Sequence, residues 1–289
     1  VKTSPLPSGA TFISVNKITA FKNIFFLTVR FGKAGMPSWS SAELFRSDGT
    51  DAGTFKLGDF HQGGTVAHGF SFSQMEKYLY FGQLHSGLTR TDGTLEGTQL
   101  VKSNVFPADL KMAEMNGYTY FVGLDYGLWK TDGTEANTTR IFGSMGISNL
   151  TVVGSTLFFA SHDTDHGKEL WKTAGTAEGT LLVKDISPGN IGSSTNYLAN
   201  INDTLYFSAH DGIHGNELWR SDGTLDGTVL VKDLFEGAKH SFPRNILKVN
   251  GRTLFLANQY DDSKLNMISP AFFYGDSKLW ELEHGVARV

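Results

Sequence analysis

One short phrase, which reads ELWRSDGTLDGT in its fullest form, recurs five times along this chain of 289 residues. Its first glycine returns every 40 to 48 residues, at Gly49, Gly93, Gly133, Gly175 and Gly223. A shortened sixth copy, KLWELEHG, lies near the C-terminus. A period of this length indicates that one supersecondary unit is repeated, and that neighbouring units bury a continuous core between them.

Each repeat contains four short runs that are rich in β-branched and aromatic residues. In the fifth repeat these runs read YLANIN, TLYFSAH, ELWRSDG and TVLVKDL. Residue pairs typical of a two-residue hairpin turn lie between the first run and the second, because they readily adopt the positive φ that such a turn needs. These pairs are Asn116-Gly117, Gly154-Ser155, Asn202-Asp203 and Asn250-Gly251. Four strands in about 44 residues, repeated six times, predict an all-β, six-bladed β-propeller with four antiparallel strands in each blade.

The predicted blades form a single domain, 1–289, and span residues 16–60, 65–104, 108–143, 147–187, 195–235 and 243–289. We expect the run TFISV at residues 11–15 to add a strand to the sixth blade, so that the N- and C-terminal segments close the ring. An open β-solenoid is the competing interpretation, but its coils are shorter and it needs polar caps. The repeated tryptophans are expected to lie in the core between blades, at Trp129, Trp171, Trp219 and Trp280.

Composition and motifs exclude several classes of function. The chain has no cysteine, which excludes disulfides, thiolate metal sites and cysteine nucleophiles. Its 25 basic and 29 acidic residues give a net charge of −4, so we expect no nucleic-acid partner. No apolar stretch approaches the roughly 18 residues of a membrane span. Because no nucleophile elbow, phosphate loop, HExxH or dinucleotide motif is present, the sequence indicates no catalytic residue.

The long phrase ELWxSDGTxxGTxLVKD resembles the ELWxxDGT repeat family of bacterial and other extracellular proteins. The resemblance covers most of the chain and is strongest from Asn149 to Asp233. It implies a secreted or surface-exposed repeat protein, and no established activity. The first two repeats depart from the pattern, with Phe45 and Thr89 in place of tryptophan. In a eukaryotic secretory pathway, N-glycosylation sequons begin at Asn137, Asn149 and Asn202.

The DGT phrase itself is predicted to be structural. An aspartate at the head of a tight turn accepts backbone N–H groups, and the glycine after it supplies positive φ. The second glycine of the phrase is replaced by Asn137 in the third repeat, and asparagine is the next residue able to hold a left-handed backbone, so we expect such a backbone there. Ala174 replaces the aspartate in the fourth repeat, which a turn tolerates and a catalytic carboxylate would not.

Candidate ligating residues lie in the loops that join second and third strands. These loops are predicted to lie on the same face of the propeller as the crossings between blades. Two such loops match position for position, HDTDHGKE (162–169) and HDGIHGNE (210–217). They predict as metal ligands His162, Asp163, His166, Glu169, His210, Asp211, His214 and Glu217. Imidazoles with carboxylates suit zinc, whereas Asp163, Asp165 and Glu169 suit calcium. In the alternative interpretation, DGxHGxE belongs to the repeat and only shapes the loop.

An insertion before the sixth copy, residues 259–278, supplies candidate ligand-binding aromatics. These are Tyr260, Phe272, Phe273 and Tyr274, together with Trp39 of the first blade. Aromatic side chains with scattered polar groups form a ligand pocket or a protein-partner surface. The segment could equally plug the central channel.

We therefore expect a secreted, non-enzymatic binding module with lectin-like recognition of glycans, or of a small molecule, on the loop face. Repeated weak sites on a rigid ring gain avidity without any single strong contact. One alternative is a metal- or cofactor-binding propeller that acts as an enzyme or a carrier. The only cofactor that the sequence indicates is a divalent metal, either calcium or zinc. The other alternative is a structural or adhesion scaffold.

Overall fold

The computed structural model describes residues 12–32, 41–60, 72–83, 87–108, 111–258, 277–283 and 286–288. These residues form six four-stranded antiparallel sheets and no helix. Within each sheet the strands follow one another in chain order. The predicted all-β fold of propeller blades is therefore confirmed. Across the described ranges, the protein has no helix with the length and apolar character needed to cross a membrane.

The strands of the first three sheets are β1 (Phe12–Phe21), β2 (Ile24–Gly32), β3 (Ser41–Ser47) and β4 (Phe55–Phe60); β5 (Ser73–Gln74), β6 (Leu79–Gln83), β7 (Gly87–Thr91) and β8 (Gln99–Ser103); and β9 (Ala113–Met115), β10 (Tyr118–Val122), β11 (Gly127–Thr131) and β12 (Thr139–Gly143). Those of the last three are β13 (Ser148–Val153), β14 (Thr156–Asp163), β15 (Gly167–Thr173) and β16 (Thr180–Lys184); β17 (Asn196–Ile201), β18 (Thr204–His210), β19 (Asn216–Ser221) and β20 (Val229–Lys232); and β21 (Arg244–Val249), β22 (Arg252–Ala257), β23 (Lys278–Glu283) and β24 (Val286–Arg288).

The N-terminal run belongs to the first sheet. β1 pairs with β2 from Phe12, opposite Gly32, to Phe21, opposite Ile24. The fourth strand of the sixth sheet is β24, which pairs with β23. The prediction that residues 11–15 complete the sixth sheet is therefore wrong for the described strands. A hairpin partner two residues away costs far less loop-closure entropy than a partner at the other end of the chain.

The chain divides into two compact units. Unit 1 contains Val1–Asp125 and Trp129–Thr139, and unit 2 contains Tyr126–Leu128 and Arg140–Val289. The expectation of a single domain stays a prediction.

In unit 1 the cores lie between neighbouring sheets. One cluster joins Phe26 and Leu44 of the first sheet to Phe81 of the second. Another joins residues of the second sheet to Phe121 of the third, and the half-buried ring of Trp129 packs against it. Each fully buried side chain of this kind contributes about 1.5–3 kcal/mol relative to exposure.

In unit 2 the repeated tryptophans have the same role. Trp219, which is only 6% exposed, belongs to a cluster that takes Phe158 from the fourth sheet and Phe207 from the fifth. Trp280 lies in the cluster between the fifth and sixth sheets. The ring centre of Trp171 lies 5.0 Å from that of Phe142 at the end of the third sheet. The prediction that these tryptophans fill the core between sheets is confirmed.

The predicted hairpins and DGT turns are also present. Asn116, Gly154, Asn202 and Asn250 open their hairpins with φ between 49° and 58°. In the first DGT turn, Asp48 Oδ1 accepts the Thr50 N–H at 3.0 Å and the Thr50 hydroxyl at 2.7 Å. The same two bonds form at Asp92, Asp132 and Asp222. The first glycine of each phrase has φ between 89° and 102°, as predicted.

The second glycine of the DGT phrase serves another purpose than the predicted one. Neither Gly53 nor its counterparts, nor Asn137, has positive φ. Instead, a Cβ atom at Gly53 would overlap the carboxylate of Asp48. In the third repeat, Asn137 Nδ2 donates to Asp132 Oδ2 at 2.7 Å. The expectation of a left-handed backbone is wrong, because close approach of the aspartate side chain selects the residue here.

Candidate functional site

The two matched loops join second to third strands, as predicted. HDTDHGKE runs from the end of β14 into β15, and HDGIHGNE runs from β18 into β19. The crossing segments that follow β16 and β20 come back beside them. The backbone N–H of Ser193, on the first crossing segment, donates to Glu169, and the hydroxyl of Ser241, on the second, donates to Glu217. The site is therefore assembled from two strand ends and two crossings.

Each matched loop is organised by its own aspartate. Asp163 Oδ1 accepts the backbone N–H groups of Asp165 at 2.9 Å and His166 at 2.6 Å. Its Oδ2 lies 2.9 Å from Nδ1 of His166. Burial opposes ionisation of this aspartate, but the hydrogen bonds from His166 and Asp165 outweigh burial and lower its pKa. The hydrogen bond to Asp163 in turn raises the pKa of His166.

The second loop repeats this geometry. Asp211 Oδ1 accepts the N–H groups of Ile213 and His214, each at 2.9 Å. Its Oδ2 lies 2.7 Å from Nδ1 of His214. The His214 pKa is raised, chiefly by this hydrogen bond. An aspartate that closes its own loop in both copies favours the interpretation of DGxHGxE as part of the repeat.

The glutamates of the two loops hold the crossing segments. Glu169 is fully buried, and its Oε1 accepts the N–H groups of Ser187 at 3.0 Å and Ser193 at 2.8 Å. Glu217 is also fully buried and accepts the Leu234 N–H at 3.1 Å and the Ser241 hydroxyl at 2.7 Å. Burial raises the pKa of each glutamate to about 7, against the hydrogen bonds that favour the carboxylate.

Glycine makes this contact between loop and crossing possible. Gly167 has φ +67°, and a Cβ atom there would overlap the backbone of Ile191 and Gly192. Gly215, its counterpart in the second loop, has φ +72° and faces the Lys239 carbonyl in the same way. Glycine at these two positions is therefore needed for close packing of the loop against the crossing segment.

The predicted metal ligands are not brought together within the described residues. In that part of the chain no three His, Asp or Glu side chains lie where they could hold one metal ion. The remaining two imidazoles, His162 and His210, stand at strand ends. Burial, with the nearby His240, lowers the pKa of His210. Four other histidines lie outside the described residues, so the metal site stays a prediction. They are His61, His68, His85 and His284.

The predicted aromatic ligand-binding residues all lie outside the described residues. These are Trp39, Tyr260, Phe272, Phe273 and Tyr274. Their role stays a prediction.

Sequence reasoning missed one feature of unit 2, a left-handed residue near the start of each first strand. Asn149, Tyr197 and Asn245 occupy equivalent positions, with φ of 59°, 54° and 52°. A register shift in the pairing with the second strand follows each of them. Asparagine tolerates this conformation, whereas an aromatic residue in it is a conformational outlier. The alignment of SNL, NYL and RNI at these positions would have revealed the exception.

Tyr197 stands beside a pair of asparagine amides. Its side chain is 44% exposed. Asn196 Oδ1 accepts the backbone N–H of Tyr197 and the Nδ2 of Asn149, both at 2.9 Å. Across the described ranges, no hydrogen bond uses Asn196 Nδ2 or Asn149 Oδ1. The backbone of an exposed tyrosine is therefore bonded to a pair of amides that has one donor and one acceptor left over within the described residues.

Comparison with known proteins assigns no family. No protein-family model matches the chain. No curated protein matches it either.

Solved structures give distant likenesses. The chain is similar to the computationally designed protein Ika8, at 12% identity and a TM-score of 0.48, over 96% of this chain and 74% of that one. It is similar to a puromycin-hydrolyzing peptidase of Mycobacterium tuberculosis, at 12% identity and a TM-score of 0.48, over 94% of this chain and 44% of that one. It is also similar to oligogalacturonate lyase in complex with manganese, at 12% identity and a TM-score of 0.48, over 91% of this chain and 73% of that one. The fold assignment rests on the strand pairing within this chain.

Proposed function

We propose that this protein is a secreted, non-enzymatic binding module that recognises glycans through the loop ends of its sheets. The observation that carries the proposal is Tyr197, an exposed aromatic ring held in a left-handed backbone conformation beside the Asn149 and Asn196 amides. Secretion is the part of the proposal that rests on the resemblance to the ELWxxDGT repeats.

The backbone of Tyr197 supports a functional role. A left-handed conformation costs a non-glycine residue about 1–2 kcal/mol. The two neighbouring sheets avoid most of this cost with Asn149 and Asn245. Strained residues of this kind concentrate at ligand-binding and other functional sites, where the surrounding structure holds them.

The chemistry around the ring fits a sugar. A pyranose has an apolar face of C–H groups and an edge of hydroxyls. The Tyr197 ring provides an apolar platform for the face. Asn196 Nδ2 and Asn149 Oδ1 provide a donor and an acceptor for adjacent hydroxyls. Because no charged group is required in this arrangement, the site favours neutral sugars.

The matched loops support binding over catalysis. The carboxylates of Asp163 and Asp211 close their own loops. Those of Glu169 and Glu217 are fully buried and hold the crossing segments. In all four cases the acidic groups position backbone, which gives a rigid scaffold for exposed residues.

A glycan array probed with the full chain, with calcium and again with a chelator, tests the proposal. We expect binding to neutral glycans in both conditions and a loss of at least tenfold in affinity for Tyr197→Asn, equivalent to about 1.4 kcal/mol. The substitution places in the fifth sheet the residue that its neighbours carry, so the melting temperature should not fall. Binding only in calcium would instead favour the metal prediction.

Tyr126→Asn is the matched control. Tyr126 is also an exposed tyrosine with positive φ, 62% exposed at φ 58°, but it lies in the loop between β10 and β11. We expect glycan affinity to be unchanged in this variant. A blank array for the wild-type protein in both conditions, or equal binding by Tyr197→Asn, would refute the proposed function.

A further inference from the structure

Unit 1 contains an open cavity of about 540 Å³ that the sequence did not indicate. It lies where the first hairpins of three sheets meet, at the ends opposite to the matched-loop type of connection. Its lining is Lys22, Glu76, Lys77, Glu114, Met115 and the Asn116-Gly117 turn. The volume is within the range of small-molecule sites, which is roughly 300–1,000 Å³.

Hydrogen bonds tie the three hairpins together. Lys22 Nζ donates to the backbone carbonyl of Lys77 at 3.4 Å. The backbone N–H of Glu76 donates to Glu114 Oε2 at 2.8 Å. The first bond joins the first and second sheets, and the second joins the second and third sheets. The cavity walls are therefore held in place before any ligand binds, which reduces the ordering cost of binding.

The lining carries two positive and two negative groups. Within the described residues none of Lys22, Lys77, Glu76 and Glu114 forms an ion pair. Each lysine ammonium instead lies about 5 Å from an aromatic ring centre of its own hairpin, 5.1 Å for Lys22 and 5.0 Å for Lys77. Buried Met115 adds an apolar surface. Both charge types are thus available to a ligand.

Lys22 is also conformationally unusual. It opens its hairpin with φ 53°, and the corresponding residues of four other sheets are asparagine or glycine. Lysine has no local hydrogen bond to compensate a left-handed backbone, so this choice costs about 1–2 kcal/mol. Strained residues of this kind concentrate at functional sites, which favours a role for the Lys22 side chain.

We propose that this cavity binds a small zwitterion of amino-acid or dipeptide size. The carboxylate of the ligand lies toward Lys22 and Lys77, and its ammonium group lies toward Glu76 and Glu114. A phosphate or an acidic sugar would satisfy the lysines but would leave two carboxylates beside an anion. A ligand with both charges complements the whole lining, and specificity follows from that complementarity.

Calorimetric titration with three probes at low salt tests the charge requirement. The probes are alanylalanine, its N-acetyl derivative, which is an anion, and its C-terminal amide, which is a cation. We expect alanylalanine to bind and both capped probes to bind at least tenfold more weakly. Binding should weaken with added salt, because exposed charges are screened over about 10 Å at 0.1 M.

Lys22→Asn tests the residues. It should lower the affinity for alanylalanine at least tenfold with little change in the melting temperature, because the preference of asparagine for the turn offsets the loss of the exposed hydrogen bond from Lys22 to Lys77. Glu76→Gln should weaken alanylalanine and spare the N-acetyl probe. Lys248→Asn is the control, since this exposed lysine does not line the cavity. Equal binding of alanylalanine and its N-acetyl form, no saturable binding at millimolar concentration, or unchanged affinity in Lys22→Asn would overturn the proposal.

Discussion

The contact between the first matched loop and its crossing segment depends on the absence of one methyl group. Gly167 faces the backbone of residues 190–192, and a Cβ atom there would lie 2.6 Å from the Asn190 carbonyl oxygen and closer still to Ile191 and Gly192. All three neighbours are backbone atoms, which cannot rotate away. Gly167→Ala must therefore move the crossing segment or the end of β14.

The magnitude follows from two separable effects. A left-handed alanine costs about 1–2 kcal/mol. Forcing an extra methyl group into a packed site costs about 1–3 kcal/mol more. Gly154→Ala isolates the first effect, because Gly154 has φ +58° in the same sheet and no atom within 4 Å of the added Cβ. We expect a loss of about 2–5 kcal/mol for Gly167→Ala and about 1–2 kcal/mol for Gly154→Ala.

Thermal unfolding followed by circular dichroism measures the difference. For a unit of 150–250 residues, 1 kcal/mol shifts the melting temperature by about 2–4 °C. Gly167→Ala should therefore melt several degrees below Gly154→Ala. Equal melting temperatures for the two variants would refute the packing argument, since both carry the same backbone penalty. A Gly167→Ala protein that fails to fold while Gly154→Ala folds would support it.

Two further predictions concern the turns and the buried acids. Ala174→Asp should add bonds to Thr176 like those that Asp222 makes in the next repeat, and stabilise the protein by about 1 kcal/mol in chemical denaturation; a destabilised variant would contradict the turn assignment. Burial holds the pKa of Glu169 and Glu217 at about 7 in the folded protein, against 4.5 for an ordinary glutamate. The folded state therefore favours their protonated forms, so their contribution is fully present below pH 4.5 and is lost as the pH rises to about 7. The free energy of unfolding should fall across this range, and changing both to glutamine should remove that fall; an unaltered pH profile would contradict it.

Much of the fold could be predicted because the same pattern of strand-forming runs and turn residues occurs in each repeat. Turn residues with positive φ recur at fixed places in successive sheets, as Gly49 does between third and fourth strands and Asn116 between first and second strands. Their local backbone geometry does not depend on the rest of the chain. The prediction that residues 11–15 add a strand to the sixth blade was wrong because it concerned one strand without a repeated counterpart. Alternation within residues 11–15 is compatible with either partner, and only the adjacent hairpin decides between them.

The candidate site was less predictable. The sequence placed Asp163 and Glu169 together in one loop as metal ligands, but their oxygens bond to different backbone groups. A spacing of six residues does not show which way each side chain faces across a strand end. The Tyr197 exception was visible in the sequence only after the left-handed position was known. No sequence pattern indicated the cavity proposed to bind a zwitterion, since its lining residues come from three different repeats.

By itself the sequence determined the repeating unit, because the period, the strand-forming runs and the turn residues act over a few neighbouring positions. It also determined the core tryptophans, since a large apolar side chain at the same place in four of the six repeats is expected to be buried against a neighbouring unit. Only the tertiary structure decided what the charged residues do. A carboxylate can bind a metal, a ligand or a backbone amide, and the groups that reach it from distant parts of the chain select among these. For Glu169 and Glu217 those groups are the crossing segments.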